Sequence, residues 1–124
     1  MTSLAPIAAV PIDETQIALL RDSAHRASTL LKELSNEQRL LILCKLLEGE
    51  CSVSDISEHI GLSQSATSQH LARLRNSALV DTRRESQTIY YRLSDPNTVT
   101  LLETLCTIFA PDGVAERHAS AARR

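Results

Sequence analysis

Apolar residues return every three or four positions along the first third of the chain. Ile17, Leu20, Ala24, Ala27, Leu30, Leu31 and Leu34 form one stripe, which predicts a helix capped by Asp13 and running to about Leu34. Ser35-Asn36-Glu37-Gln38 then has the form of a capping box, with Gln38 reaching back to Ser35. The dense run Leu40 to Leu47 predicts a mostly buried second helix that stops at Gly49. A third, short helix is expected from the Ser52–Asp55 box through Ile56 and Ile60 to Gly61.

The pattern then changes. Ser63-Gln64-Ser65-Ala66-Thr67-Ser68-Gln69-His70-Leu71-Ala72-Arg73-Leu74-Arg75 offers only Leu71 and Leu74 at core spacing. Its other positions are short hydrogen-bonding side chains and two arginines. Serine, threonine and glutamine are mediocre helix fillers, so a helix that exposes so many of them is suited to a polar partner. Ser63 is placed to cap it. Leu79–Arg84 and Thr88–Leu93 read as two strands joined through Glu85-Ser86-Gln87. Asp95-Pro96 supplies a cap and first residue for a last helix through Val99, Leu102, Leu105 and Phe109. A short helix, a glycine turn, a second helix and a hairpin together predict a mainly α fold with a β-hairpin wing: a winged helix-turn-helix. Residues 1–12 are expected to be disordered, 13–110 to form one folded domain, and 111–124 to be a flexible tail.

Composition narrows this picture in a few places. With aromatics limited to Tyr90, Tyr91 and Phe109, the core must be built from aliphatic side chains, as packed helices allow. No apolar run approaches the ~20 residues of a membrane span, and the start lacks a signal-peptide pattern; a cytoplasmic protein with no membrane association is expected. Net charge is −2. Yet Ser63–Arg92 holds five arginines against Asp81 and Glu85, a local +3 that leaves −5 elsewhere. One basic segment on an acidic body is the electrostatic footprint of a nucleic-acid face. Three cysteines without a CxxC pair argue against a disulfide framework.

With these residues placed, the chain resembles the ArsR/SmtB family of bacterial winged-helix repressors over about Ala24–Phe109. The resemblance rests on Asn36–Leu43, Leu62–Arg75 and Leu79–Leu93. It implies a homodimer joined by the first and last helices, bound to a pseudo-palindromic operator in double-stranded DNA. On that reading the DNA-binding residues are Ser63, Gln64, Ser65, Thr67, Ser68, Gln69, His70 and Arg73 on the recognition helix, with Arg83, Arg84 and Gln87 on the wing. Glutamine can pair with adenine and arginine with guanine, while serine and threonine serve bases or phosphates. His70 fits a DNA contact or a structural hydrogen bond equally, and Arg75 a DNA contact or a solvated ion pair.

Metal sensing, common in the family, is not expected. Ser52 and Ser54 stand at one metal site's thiolate positions, and hydroxyls are poor ligands for soft metals; Cys51 falls one residue away. A second site lacks its histidine at Asn97 and has Ile108 and Pro111 at later ligand positions. No metal or other cofactor is predicted. The resemblance is nearest to thiol-sensing sulfide and redox repressors and to nodulation and biofilm regulators. In that branch Cys44 matches the first sensing cysteine, whereas the second position holds Ala110, with Cys106 one helical turn, ~6 Å, earlier. Two readings stay open: Cys44 and Cys106 respond to persulfide or oxidant and release DNA, or they are small buried residues in a repressor controlled otherwise. A metal-sensing repressor and a winged helix used only for protein contact are lesser alternatives. An enzyme is not expected.

Overall fold

The computed structural model describes residues 11–109. Its elements run α1 (Glu14–Leu34), α2 (Glu37–Leu46), β1 (Cys51–Ser52), α3 (Val53–Ile60), α4 (Gln64–Asn76), β2 (Val80–Glu85), β3 (Thr88–Leu93) and α5 (Pro96–Phe109). This is the expected winged helix-turn-helix order, mainly helical with a hairpin, plus one strand that local pattern did not announce. The described residues up to Leu31 belong to one compact unit and those from Lys32 to a second. Most of the tails lie outside the described residues, as does Ala110.

The first unit is the body of α1. Asp13 and Gln16 exchange hydrogen bonds at its start, Gln16 N–H donating to Asp13 Oδ1 at 2.8 Å and Asp13 N–H to Gln16 Oε1 at 3.0 Å. That reciprocal pair satisfies two otherwise orphan donors. Ile17, Leu19, Leu20 and Leu31 are exposed along the helix.

In the second unit each helix end is set by local chemistry. Asn36, not Ser35, caps α2 by accepting from the Arg39 N–H at 2.9 Å. Ser35 instead donates its hydroxyl to Lys32 O at the close of α1, so the cap sits one residue later than expected and the reciprocal half of the capping box is not formed, because Arg39 at its third position has no acceptor. Ser52 caps α3 through the Asp55 N–H. Gly61 ends it in the left-handed conformation, φ 81°, which a residue with a Cβ adopts only with strain. Ser63 follows as N-cap of α4, accepting from the Ala66 N–H at 3.0 Å. Asp95 holds α5 by accepting from the Asn97 N–H and the Thr98 hydroxyl.

The core joins Ile42, Leu43 and Leu46 of α2, Ile56 of α3, Leu71 and Leu74 of α4, Leu79 and Val80 at the wing base, and Leu102 and Cys106 of α5. Leu71 and Leu74 are fully buried, as their spacing requires. The sheet is antiparallel throughout, in the order β1-β3-β2. Cys51 pairs with Tyr91 and Ser52 with Tyr90, which anchors the start of α3 to the wing. Val80 pairs with Leu93 at the base and Glu85 with Thr88 at the tip. The turn is Ser86-Gln87, with Ser86 at φ 59° where an asparagine or glycine is the commoner occupant.

Candidate nucleic-acid interface

Helix α4 presents its polar residues much as its pattern requires. Ser63, Gln64, Ser65, Ser68, Gln69 and Arg73 are exposed, and His70 is half-buried. Gln64 spends one amide hydrogen on α3, donating to Ser54 Oγ at 3.0 Å. Its carbonyl oxygen has no protein partner among the described residues. Thr67 departs from the expectation of a DNA-facing residue. It is fully buried, and its hydroxyl donates to the Ser63 carbonyl at 2.8 Å. A threonine with its one donor satisfied inside the helix can occupy an apolar site at little cost, so Thr67 is a core residue.

The arginines differ sharply from one another. Arg73 points its Nε at both carboxylate oxygens of Glu33, at 3.0 and 3.2 Å. Arg39 reaches the same carboxylate, its Nε lying 3.6 Å from Oε2. It also donates to the Glu33 and Lys32 carbonyls at 3.0 and 3.1 Å. On the wing, Arg83 is held by Glu50 at 2.8 Å and by Glu85 at 3.0 Å, and lies over the Tyr90 ring, 4.8 Å from its centroid. Those two carboxylates hold its proton even more firmly than usual. Its charge is largely compensated on the protein. Arg84, by contrast, is exposed and has no ion pair among the described residues, as is true of Arg75; Gln87 is exposed at the turn. The acidic partners Glu33 and Glu50 carry no local signal in sequence, because they lie 40 and 33 residues from the arginines they hold.

Cys44 and Cys106 come together. Both border an apolar cleft of about 320 Å³ with Leu40, Leu105 and Phe109. Cys106 is buried and Cys44 half-buried. Burial, reinforced by the neighbouring Cys106 thiol, pushes the Cys44 thiol up to about 11. Cys51 lies elsewhere, in a polar hollow with Lys45, Asp55, Glu58 and His59. Burial raises its pKa, partly offset by Lys45. Among the described residues no three His, Cys, Asp or Glu side chains are grouped to hold a metal ion. No described helix is long and apolar enough to cross a membrane.

This geometry agrees with known proteins. Residues 36–82 match the family model described as "Bacterial regulatory protein, arsR family". The chain is 46% identical over 90 residues to the transcriptional activator HlyU of Vibrio cholerae, covering 73% of this chain and 83% of that protein. It is 40% identical over 101 residues to the biofilm growth-associated repressor of Xylella fastidiosa, covering 78% of this chain and 89% of that protein. The solved structure of the transcriptional repressor BigR from Xylella fastidiosa superposes with a TM-score of 0.72 at 38% identity, covering 77% of this chain and 98% of that one. The winged helix, its capped and polar fourth helix and these similarities together place the chain in the ArsR family of transcriptional regulators.

Proposed function

We propose that the protein is a homodimeric repressor that binds a pseudo-palindromic operator through α4 and the wing, and releases it when Cys44 and Cys106 are oxidised or persulfidated. The DNA half of this reading is carried by one observation: a well-capped helix exposes Ser63, Ser65, Ser68, Gln69 and Arg73 while burying Leu71 and Leu74. Gln69 and Arg73 have the donor patterns for base edges, and the helix N-terminus suits a phosphate. Arg84 is the wing cation best placed for the backbone, since Arg83 is already engaged. Dimerisation is supported by apolar side chains left exposed in the single chain, Ile17 and Leu20 on α1 and Ile108 and Phe109 on α5.

Arg84→Ala is expected to weaken binding to all duplexes alike and to reduce the slope of log K against log salt by about one unit, the signature of one lost phosphate contact. An unchanged slope in salt-dependent fluorescence anisotropy removes Arg84 from the footprint.

The thiol half rests on Cys44 and Cys106 lining one apolar cleft. With peroxide, one thiolate attacks an oxygen, giving a sulfenic acid and water; the second thiol then displaces the hydroxyl as water and closes the disulfide. With a sulfane-sulfur donor such as a low-molecular-weight persulfide, one thiolate attacks the outer sulfur, the donor's S–S bond breaks and its thiolate leaves, giving a protein persulfide; the second thiol then attacks the inner sulfur, expels hydrogen sulfide and closes the disulfide. The elevated Cys44 pKa favours a second reading, in which both thiols are inert and control lies elsewhere. Burial beside a second thiol disfavours the thiolate, which is the reactive form.

The deciding experiment measures binding of the reduced protein to a duplex selected from a random library, then repeats it after persulfide and after peroxide, with mass analysis of the cysteines. Cys44→Ser is expected to bind DNA normally but to stay bound after treatment. Release that persists in Cys44→Ser rejects the thiol switch in favour of the second reading.

A further inference from the structure

The geometry points to Glu33 as a positioning residue for DNA readout, whose buried carboxylate aims Arg73 of α4 at paired acceptors on the DNA. The inference rests on the proposal that α4 lies against DNA. Glu33 is 7% exposed at the last turn of α1, and both its oxygens accept from the Arg73 Nε. The contact is made through the inner edge of the guanidinium alone. Neither terminal amino group of Arg73 has a protein partner among the described residues, and its side chain is 55% exposed. The outer edge is therefore left whole. That edge is the fork that fits guanine O6 and N7, or two phosphate oxygens.

The carboxylate does not cancel the site's charge. Arg39 lies against the same group and is itself buried, so two guanidinium cations share one anion and the cluster keeps a net positive charge. Arg39 is fixed in turn by the Glu33 and Lys32 carbonyls, so the carboxylate rests on a rigid support. A long arginine side chain ordinarily loses rotamer freedom when it binds; one already held at Nε loses less. Supporting groups of this kind are what keep a recognition side chain in its productive geometry. The opposite consequence is equally concrete: if Glu33 merely sequesters Arg73, its removal should tighten DNA binding.

The test is a double-mutant cycle on DNA affinity, using full-length protein and a duplex selected by the wild type from a random 40-base-pair library, at a temperature where every variant is folded by circular dichroism. R73A is expected to weaken binding about tenfold and E33A by a similar factor. E33A/R73A should be no weaker than R73A alone. E33Q, which keeps one acceptor for Nε, should recover most of the affinity, a rescue that general loss of the cluster's charge would not give. R73K retains a cation but has no Nε to be held, so its affinity should be indifferent to E33A. If R73A and E33A lose preference for the same single base pair, the acceptors are a guanine edge. If they weaken all duplexes equally and lower the salt slope, the acceptors are phosphate oxygens. Additive effects, tighter binding by E33A, or no effect of E33A where R73A is impaired would overturn the inference. An unimpaired R73A, or a wild type that enriches no duplex, would instead remove the DNA reading beneath it, and the inference would fall with it.

Discussion

Leu71→Ala is expected to cost about 2–5 kcal/mol of folding stability, the range for emptying a fully enclosed leucine site. Leu71 is fully buried, as are Ile42, Leu43, Ile56 and Leu74 of the same core. It belongs to the helix that carries the polar face, so the side chain that anchors α4 and those proposed to meet DNA share one short element. Domains of this size are stable by only about 5–15 kcal/mol. The variant should therefore lose a substantial share of its stability, and its DNA binding should fall off at a lower temperature than that of the wild type. Urea unfolding followed by circular dichroism measures the effect. A loss below ~1 kcal/mol, with unchanged slope against urea, would mean that α4 is not anchored through this residue.

Arg39→Ala is expected to cost about 3 kcal/mol, for a different reason. Arg39 is one of the few buried charges, 7% exposed, against Glu33 at the same exposure. Removing one partner of a buried pair strands the other, at a typical cost of roughly 3–5 kcal/mol. Arg73 still reaches Glu33 in the variant, which sets the expectation at the low end. The loss is not purely electrostatic, because Arg39 also satisfies the Lys32 and Glu33 carbonyls at the end of α1, where helix carbonyls otherwise lack partners. Arg39→Lys separates the two contributions: it keeps the charge but not the fork, and is expected to lie between wild type and Arg39→Ala. Equal stability of all three proteins in thermal unfolding would show that the cluster contributes nothing.

The residues that define helix ends were the most legible part of the chain. Ser52, Gly61, Ser63 and Asp95 act through bonds to residues two to four positions away, so their chemistry is complete within a short window. Ser35 and Asn36 are both good caps, and what separates them is which one also closes α1, so the local pattern places the α2 cap one position early. Strand β1 is two residues long and exists only because Tyr90 and Tyr91 lie beside it; no local pattern encodes that. The wing and its two strands were visible, since alternation and β-branched or aromatic residues are local signals. Within the candidate interface, exposure along α4 followed from Leu71 and Leu74. Thr67 did not, because its hydroxyl is satisfied by the backbone of its own helix. The pairing of Arg73 and Arg83 depends on acids far away in sequence, and because two carboxylates hold Arg83, counting arginines overstates the free positive charge of the wing. The approach of Cys44 to Cys106 is likewise a product of α2 and α5 packing rather than of spacing.

The sheet order has one more consequence. β3 lies in the middle, so the outer edge of β2 has no strand partner among the described residues, and from Arg83 to Glu85 it is exposed. An open edge is a template on which a strand from another molecule can grow. This one carries Asp81, Arg83, Arg84 and Glu85 in a span of five residues, and a second copy aligned against it would bring like charges together in several registers. The wing's charges thus guard its own edge against aggregation, and Arg84, proposed above as a contact to the DNA backbone, helps make it a poor seed for a fibril.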